Sequence, residues 1–196
     1  MKNIRIGICG PSGTGKSTLA KYISEKYGIP FVTTSTKPLW EKYEIKSHED
    51  LINKTLSDPK WGLNFQNEVL DYRIKMMDEN PNFITDRTPI DNLVYFLLQN
   101  THSVSANDTE EYILRCKFAL EKMNGLICLP FSEEIQLSDD GARITNKYYQ
   151  LTVNGTFVVA SQLMRSSLFE LKALTLPMWD YEIRKELTDK FIQTYE

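Results

Sequence analysis

Residues Gly10-Pro11-Ser12-Gly13-Thr14-Gly15-Lys16-Ser17 fit the pattern G-x-x-x-x-G-K-[ST] in full. Glycines at these spacings let successive backbone N–H groups turn inward around a polyphosphate. A helix opening at Lys16 presents its positive end to the same anion. The chemistry is the holding of ATP with Mg²⁺. Gly10, Pro11, Ser12, Gly13, Thr14, Gly15, Lys16, Ser17 and Thr18 form the expected nucleotide-binding set. Lys16 reaches the β- and γ-phosphates and the Ser17 hydroxyl ligates the metal. The pattern alone does not separate a kinase from a motor, a GTPase or a remodelling ATPase.

A second pair narrows the choice. Phe83-Ile84-Thr85 reads as a buried strand that delivers Asp86-Arg87 at its carboxyl end. In an open α/β sheet that end lies beside the phosphate loop, where Asp86 can hold Mg²⁺, orient its water or accept a proton. Arg87 offers a planar fork suited to a phosphate. A remodelling ATPase needs an acidic pair here to polarise a water, so an Asp-Arg pair favours transfer to an acceptor over hydrolysis. A purely local reading, Asp86 paired with Arg87 at a helix start, is the competing one. No Asn-Lys-x-Asp guanine signature occurs, which counts against a regulatory GTPase.

Several residues are candidates for the acceptor side. Thr33 to Lys37 offers hydroxyls and a cation at the exit of a second strand, although the same residues suit a plain turn. Asp91 and Tyr95 lie four apart on one helix face after Arg87, and Trp40, Trp61 and Phe65 can stack on a base or simply pack. The polar segment 131–150, with Asp139-Asp140-Gly141-Ala142-Arg143 at its centre, reads as a lid. Arg143 and Lys147 would close over the transferring group and exclude water. His48 and His102 receive no role.

These residues need a frame of alternating elements. Strands are expected at Ile4–Cys9, Ile29–Thr34, Phe83–Thr85, Gly125–Leu129 and Ala173–Leu176. The intervening helices are marked by Ser47, Thr88-Pro89 and Asp180 caps and by apolar residues at helical spacing, with 157–171 ambiguous and read as helix. Strands alternating with helices imply a parallel sheet covered on both faces, an α/β fold.

Composition agrees with that frame. At 196 residues the chain suits one domain, 1–196, and its 41% hydrophobic and 25% charged content excludes disorder and fibrous repeats. The net charge of −3 carries no overall basic footprint for duplex DNA, although a local basic groove is compatible with it. Three scattered cysteines, Cys9, Cys116 and Cys128, suggest a reducing cytoplasm. Neither a membrane-spanning run nor a signal peptide is expected.

The phosphate loop, the block Thr85-Asp86-Arg87-Thr88-Pro89-Ile90-Asp91-Asn92-Leu93-Val94-Tyr95 and the Asp139–Arg143 segment together resemble the P-loop nucleoside and nucleotide kinases. The likeness is to the thymidylate-kinase-like and nicotinamide-riboside-kinase-like branch, which includes viral kinases of 5-hydroxymethyluracil in DNA or as the free nucleotide. It implies a three-layer sandwich on a five-stranded parallel sheet of order 2-3-1-4-5, with a lid. It also implies ATP and Mg²⁺ as cosubstrate and metal, with Lys16, Asp86, Arg87 and Arg143 as catalytic residues and Ser17 and Asp86 at the metal. The acceptor implied is a pyrimidine deoxynucleotide, free or in DNA. A nucleoside kinase and a nucleotide switch with a protein partner are the alternatives, and a second copy of the chain is a candidate partner. One departure stands out: kinases of this type often carry a glutamate base after the second strand, where this chain reads Thr33-Thr34-Ser35-Thr36-Lys37.

Overall fold

Four parallel strands carry the fold in the order β2-β1-β3-β4: β1 is Arg5–Cys9, β2 Phe83–Thr85, β3 Gly125–Cys128 and β4 Lys172–Thr175. The computed structural model describes residues 3–132, 134–135, 144–169, 171–177 and 180–195. Helices fill the connections: α1 (Lys16–Tyr27), α2 (Lys37–Lys42), α3 (His48–Ser57), α4 (Pro59–Asp78), α5 (Pro89–Gln99), α6 (Ala106–Leu120), α7 (Lys147–Leu163), α8 (Arg165–Leu168) and α9 (Tyr181–Gln193). None of the described helices is long and apolar enough to cross a membrane.

The pleat of β1 sorts its side chains between two cores. Ile6 and Ile8 pack with Leu19, Ala20 and Ile23 of α1 and Ile192 of α9. Cys9 faces the opposite cluster, built from Leu70, Ile90, Leu93, Phe96 and Leu120 on α4, α5 and α6. Gly7 lies on that second face, and a Cβ there would come within 2.6 Å of Thr88 and 2.8 Å of Met123, so only glycine lets α5 approach. Cys9 and Cys128 are register partners with free thiols 3.3 Å apart, a proximity that their sequence spacing does not suggest.

The sheet has four strands among the described residues and not the expected five, because the second expected strand, Ile29–Thr34, does not form. Residues 29–34 run beside β2 but form a single parallel bridge, Phe31 to Ile84. Val32 N–H donates to Ile84 O at 2.8 Å and Ile84 N–H to Pro30 O at 2.9 Å. Two causes are visible. Pro30 has no N–H to donate, and β2 is only three residues long, leaving no further rungs to pair with. The spatial order nonetheless agrees with the expected one once this extended edge segment is counted.

The segment 131–150 also needs correcting as a single loop. Its last residues, 147–150, form the first turn of α7, where Asn146 Oδ1 accepts from the N–H groups of Tyr148 and Tyr149. The expected lid centre, Asp139 to Arg143, lies outside the described residues. The ambiguous 157–171 stretch is helical through most of its length, as the end of α7 and then α8. Lys37 and Pro38, read as loop, instead open α2.

Candidate active site

The phosphate loop joins β1 to α1 and is held in shape by three glycines with positive φ, at +143° for Gly10, +83° for Gly13 and +87° for Gly15. A Cβ on Gly10 would lie 2.2 Å from Leu129 O, so the loop presses directly on the chain leaving β3. Lys16 is 5% exposed and its Nζ donates to Gly10 O and Pro11 O, both at 2.7 Å. Burial, helped by the nearby Arg87 charge, lowers its pKa to about 7, against the pull of Asp91 and Asp86. At about pH 8 the amine is therefore largely neutral, and a polyphosphate beside it restores the charge. Binding of ADP at that pH is expected to take up close to one proton. Calorimetry in two buffers of different ionisation enthalpy measures this, and an uptake near zero would contradict the lowered pKa of Lys16 in the empty loop.

Ser17, the second residue of α1, hydrogen-bonds through its hydroxyl to Asp86 Oδ2 at the end of β2. A hydroxyl and a carboxylate meeting at the mouth of the loop are hard oxygen donors. They fit Mg²⁺, which usually takes one or two protein oxygens and completes its shell with phosphate and water. Among the described residues no cluster of three or more His, Cys, Asp or Glu forms a separate metal cage.

Arg87 follows at the start of α5. Thr88 caps this helix by accepting from Ile90 and Asp91 N–H groups, and Asp91 Oδ2 accepts in return from Thr88 N–H at 2.9 Å. Such a box fixes the entry to a helix and is worth about 1 kcal/mol for its cap residue. Asp91 is thus fully buried and committed to the cap, with its other oxygen 3.6 Å from Arg87 Nη1. Asp91, a candidate for the acceptor side in the sequence, is instead enclosed in the cap and paired with Arg87. Burial disfavours the Arg87 charge, but Tyr95, Asp91 and Asp86 outweigh it and raise the guanidinium pKa.

Beside Arg87 opens a cavity of about 300 Å³, walled by α2, α3, α4, α5 and α7. Lys37, Arg73 and Arg87 bring three cations to it, Trp40, Phe65 and Tyr95 aromatic surface, and Gln66 and Gln99 amides. None of its described lining residues is a carboxylate. Arg73 is 6% exposed and hydrogen-bonds Asn92 Oδ1, while its Nε finds no hydrogen-bond partner among the described residues. Burial and repulsion from Arg87 lower its pKa. Two guanidiniums thus share one cavity wall and repel each other there, a placement that an anion between them would relieve.

Lys16, Ser17, Asp86 and Arg87 are brought together as the sequence suggested. Trp40, Phe65, Tyr95, Thr36 and Lys37 reach the cavity, whereas Trp61 stacks on Phe65 at 5.4 Å from behind. Lys147 lies against the Tyr148 ring and does not line the cavity. Arg143 is outside the described residues. Sequence reasoning missed Gln66, Arg73, Gln99 and Tyr149, and gave no role to His48, which lines the cavity and meets Trp40 edge-on. Arg73 did leave a signal: it continues the four-residue spacing of Phe65, Val69 and Met77, a charged residue in an apolar stripe.

A strand, glycine loop and helix under a parallel sheet, with Asp86-Arg87 on the neighbouring strand, define a P-loop kinase fold. The sequence profile of the AAA domain family (AAA_28) matches residues 5–152, and the chain belongs to that family. The adenylate kinase of Buchnera aphidicola subsp. Acyrthosiphon pisum (strain Tuc7) is 30% identical over 128 residues, covering 62% of this chain and 57% of that protein. A cytidylate kinase of Clostridium botulinum is 41% identical over 63 residues, 27% of this chain and 29% of its own. The chain spans a little over half the length of the adenylate kinases it matches. Among solved structures, the NadR protein in complex with NR superposes with a TM-score of 0.68 at 18% identity, over 99% of this chain and 52% of that one. Deoxyadenosine kinase from M. mycoides gives 0.67 at 19% identity, over 98% and 100%. Both share the fold.

Proposed function

We propose that the protein transfers the γ-phosphoryl group of ATP to the phosphate of a free nucleotide seated in the cavity beside Arg87. The observation that carries this reading is the pairing of Arg73 and Arg87 on a cavity wall that has no carboxylate. A hydroxyl acceptor, whether on a nucleoside sugar or a base hydroxymethyl, needs a general base to take its proton, and the nearby carboxylate, Asp86, is engaged by Ser17 at the mouth of the phosphate loop. A phosphate acceptor is already anionic at neutral pH; it needs cations to hold it and relieve its repulsion from ATP. The missing glutamate after residues 29–34 points the same way.

The chain's own residues divide the work. Lys16 and the loop N–H groups hold the β- and γ-phosphates, and Ser17 and Asp86 face the site where Mg²⁺ would balance the charge of the triphosphate. Arg87, anchored by Asp91, lies between the two substrates. An acceptor phosphate oxygen attacks the γ-phosphorus in line, the bond to the β-phosphate oxygen breaks, and ADP leaves. Arg73 and Lys37 hold the acceptor throughout. The cavity's small volume, with Trp40 and Phe65 for stacking and side-chain amides such as Gln66 and Gln99 for a base edge, supports a pyrimidine deoxynucleotide. Gln66 and Arg73 are deeply buried, which favours a free nucleotide over one within DNA.

The test is an acceptor panel with ATP and Mg²⁺: nucleosides, nucleoside monophosphates and short DNA carrying 5-hydroxymethyluracil, with products weighed by mass spectrometry. Pyrimidine deoxynucleoside monophosphates are expected to stimulate ADP release and become diphosphates. Added salt should slow that reaction little, because few counterions are released by a mononucleotide. Phosphate appearing on nucleosides alone would overturn the reading in favour of a nucleoside kinase. Slow ADP release indifferent to every acceptor would favour a switch.

A further inference from the structure

We infer that Arg184, on the last helix and far in sequence from the phosphate loop, is a positioning residue for nucleotide binding: it aims the Gly15 N–H at the phosphates. Arg184 is 3% exposed, and its Nη1 donates to Thr14 O at 2.6 Å across 170 residues of chain. A peptide unit is planar and trans, so its carbonyl and its N–H point in opposite directions. Fixing Thr14 O toward α9 therefore turns the N–H of Gly15 away from α9 and into the loop. Gly15, with φ at +87°, has the freedom to rotate this unit, and nothing in its own side chain opposes a flip. The space a Cβ would take there ends 3.6 Å from Arg184 Nη1, so the guanidinium sits directly against the turn.

The other side-chain hydrogen bonds recorded to the loop carbonyls among the described residues act at Gly10 and Pro11. Lys16 holds the Gly10 and Pro11 carbonyls, and Thr14 Oγ1 donates to Pro11 O at 3.0 Å. When Lys16 moves onto a bound phosphate it gives up those carbonyls, whereas the Arg184 contact is compatible with a full loop and persists. The docking of α9 does not depend on Arg184 alone. Asp189 accepts from Tyr22 at 2.8 Å, from Tyr27 at 2.7 Å and from Lys26 at 2.6 Å at the far end of α1. Ile192 and Leu187 add apolar contact. Removing the guanidinium thus frees the Thr14–Gly15 peptide unit, while the Asp189 cluster and the apolar contacts keep α9 docked.

The inference rests on the phosphate loop binding ADP, part of the function proposed above, and the experiment separates the two. Binding of a fluorescent ADP analogue with Mg²⁺ is measured on wild type, Arg184→Met and Arg184→Lys, alongside thermal unfolding and hydrogen exchange at the Gly15 amide. Arg184→Met is expected to bind about tenfold more weakly, the effect of losing a charge-assisted hydrogen bond. Gly15 exchange should be faster, the binding of a nucleoside monophosphate to the acceptor cavity unchanged, and ADP affinity partly restored in Arg184→Lys. Should the Met variant fail to fold, the Lys variant carries the test through its smaller loss of ADP affinity. Unchanged ADP affinity in a folded variant overturns the assignment, as does a loss that strikes both ligands equally. Wild type failing to bind ADP overturns the phosphate-loop reading, and this assignment with it.

Discussion

Lys16→Met is expected to stop phosphoryl transfer while leaving the protein at least as stable as wild type. The two halves of that result have separate causes. In the proposed reaction Lys16 supplies a positive charge where the transferring group becomes more negative, and losing such a group lowers turnover by on the order of 10²-fold or more. Stability behaves differently because Lys16 is buried against two carbonyls with its pKa lowered from 10.5 to about 7. An amine whose folded pKa is depressed binds fewer protons in the folded state than in the unfolded one. Its contribution therefore disfavours folding below about pH 7 and is relieved as pH rises toward its ordinary pKa. Wild type should gain stability relative to Lys16→Met over that window, measured by denaturant unfolding at a series of pH values. Near-normal turnover in the variant would remove the phosphate loop from the mechanism.

Arg87→Ala and Arg73→Met are expected to raise the acceptor KM by about 10- to 100-fold each, with the ATP KM nearly unchanged, since each removes one charged hydrogen-bonding group from the acceptor phosphate. Arg73→Met also removes a buried cation repelled by Arg87 but leaves Asn92 Oδ1 without its donor, so thermal unfolding of the empty variant is measured alongside. The double variant should lose less than the product of the two, because in the proposed complex both side chains hold one phosphate. Steady-state kinetics with both substrates varied gives all four constants. Equal rises in both KM values for Arg87→Ala would argue against an acceptor role for that residue.

The parts legible in the sequence are those in which neighbours in the chain are neighbours in space. β1, the glycine loop and α1 form one continuous run, and Thr88, Pro89 and Asp91 announce the start of α5 beside Arg87. The cavity was not legible, because its residues come from five helices and the loops between them, far apart in sequence. Gln66, Gln99 and Tyr149 read in sequence as ordinary polar or amphipathic positions; only the helix packing turns them inward. The edge segment at residues 29–34 misled in the opposite direction. Its β-rich composition is genuine, but a strand also needs a partner, and β2 is too short to supply more than one rung. Arg184 illustrates the same limit, since nothing in α9 marks a contact with a loop at the other end of the chain.

The central place of β1 has a consequence for how the molecule is assembled. Its two sheet neighbours are distant in sequence, β2 by 78 residues and β3 by 119. Contacts of such separation close slowly, because the intervening chain must lose its freedom before any pairing repays it. Gly10 rests on the carbonyl of Leu129, just past β3, so the glycine turn takes its final shape only after that distant pairing has formed. Helices α1, α4 and α5 can gain structure from local contacts well before then. Recovery of nucleotide binding during refolding should therefore trail the return of helical signal, making the phosphate loop a late reporter of native topology.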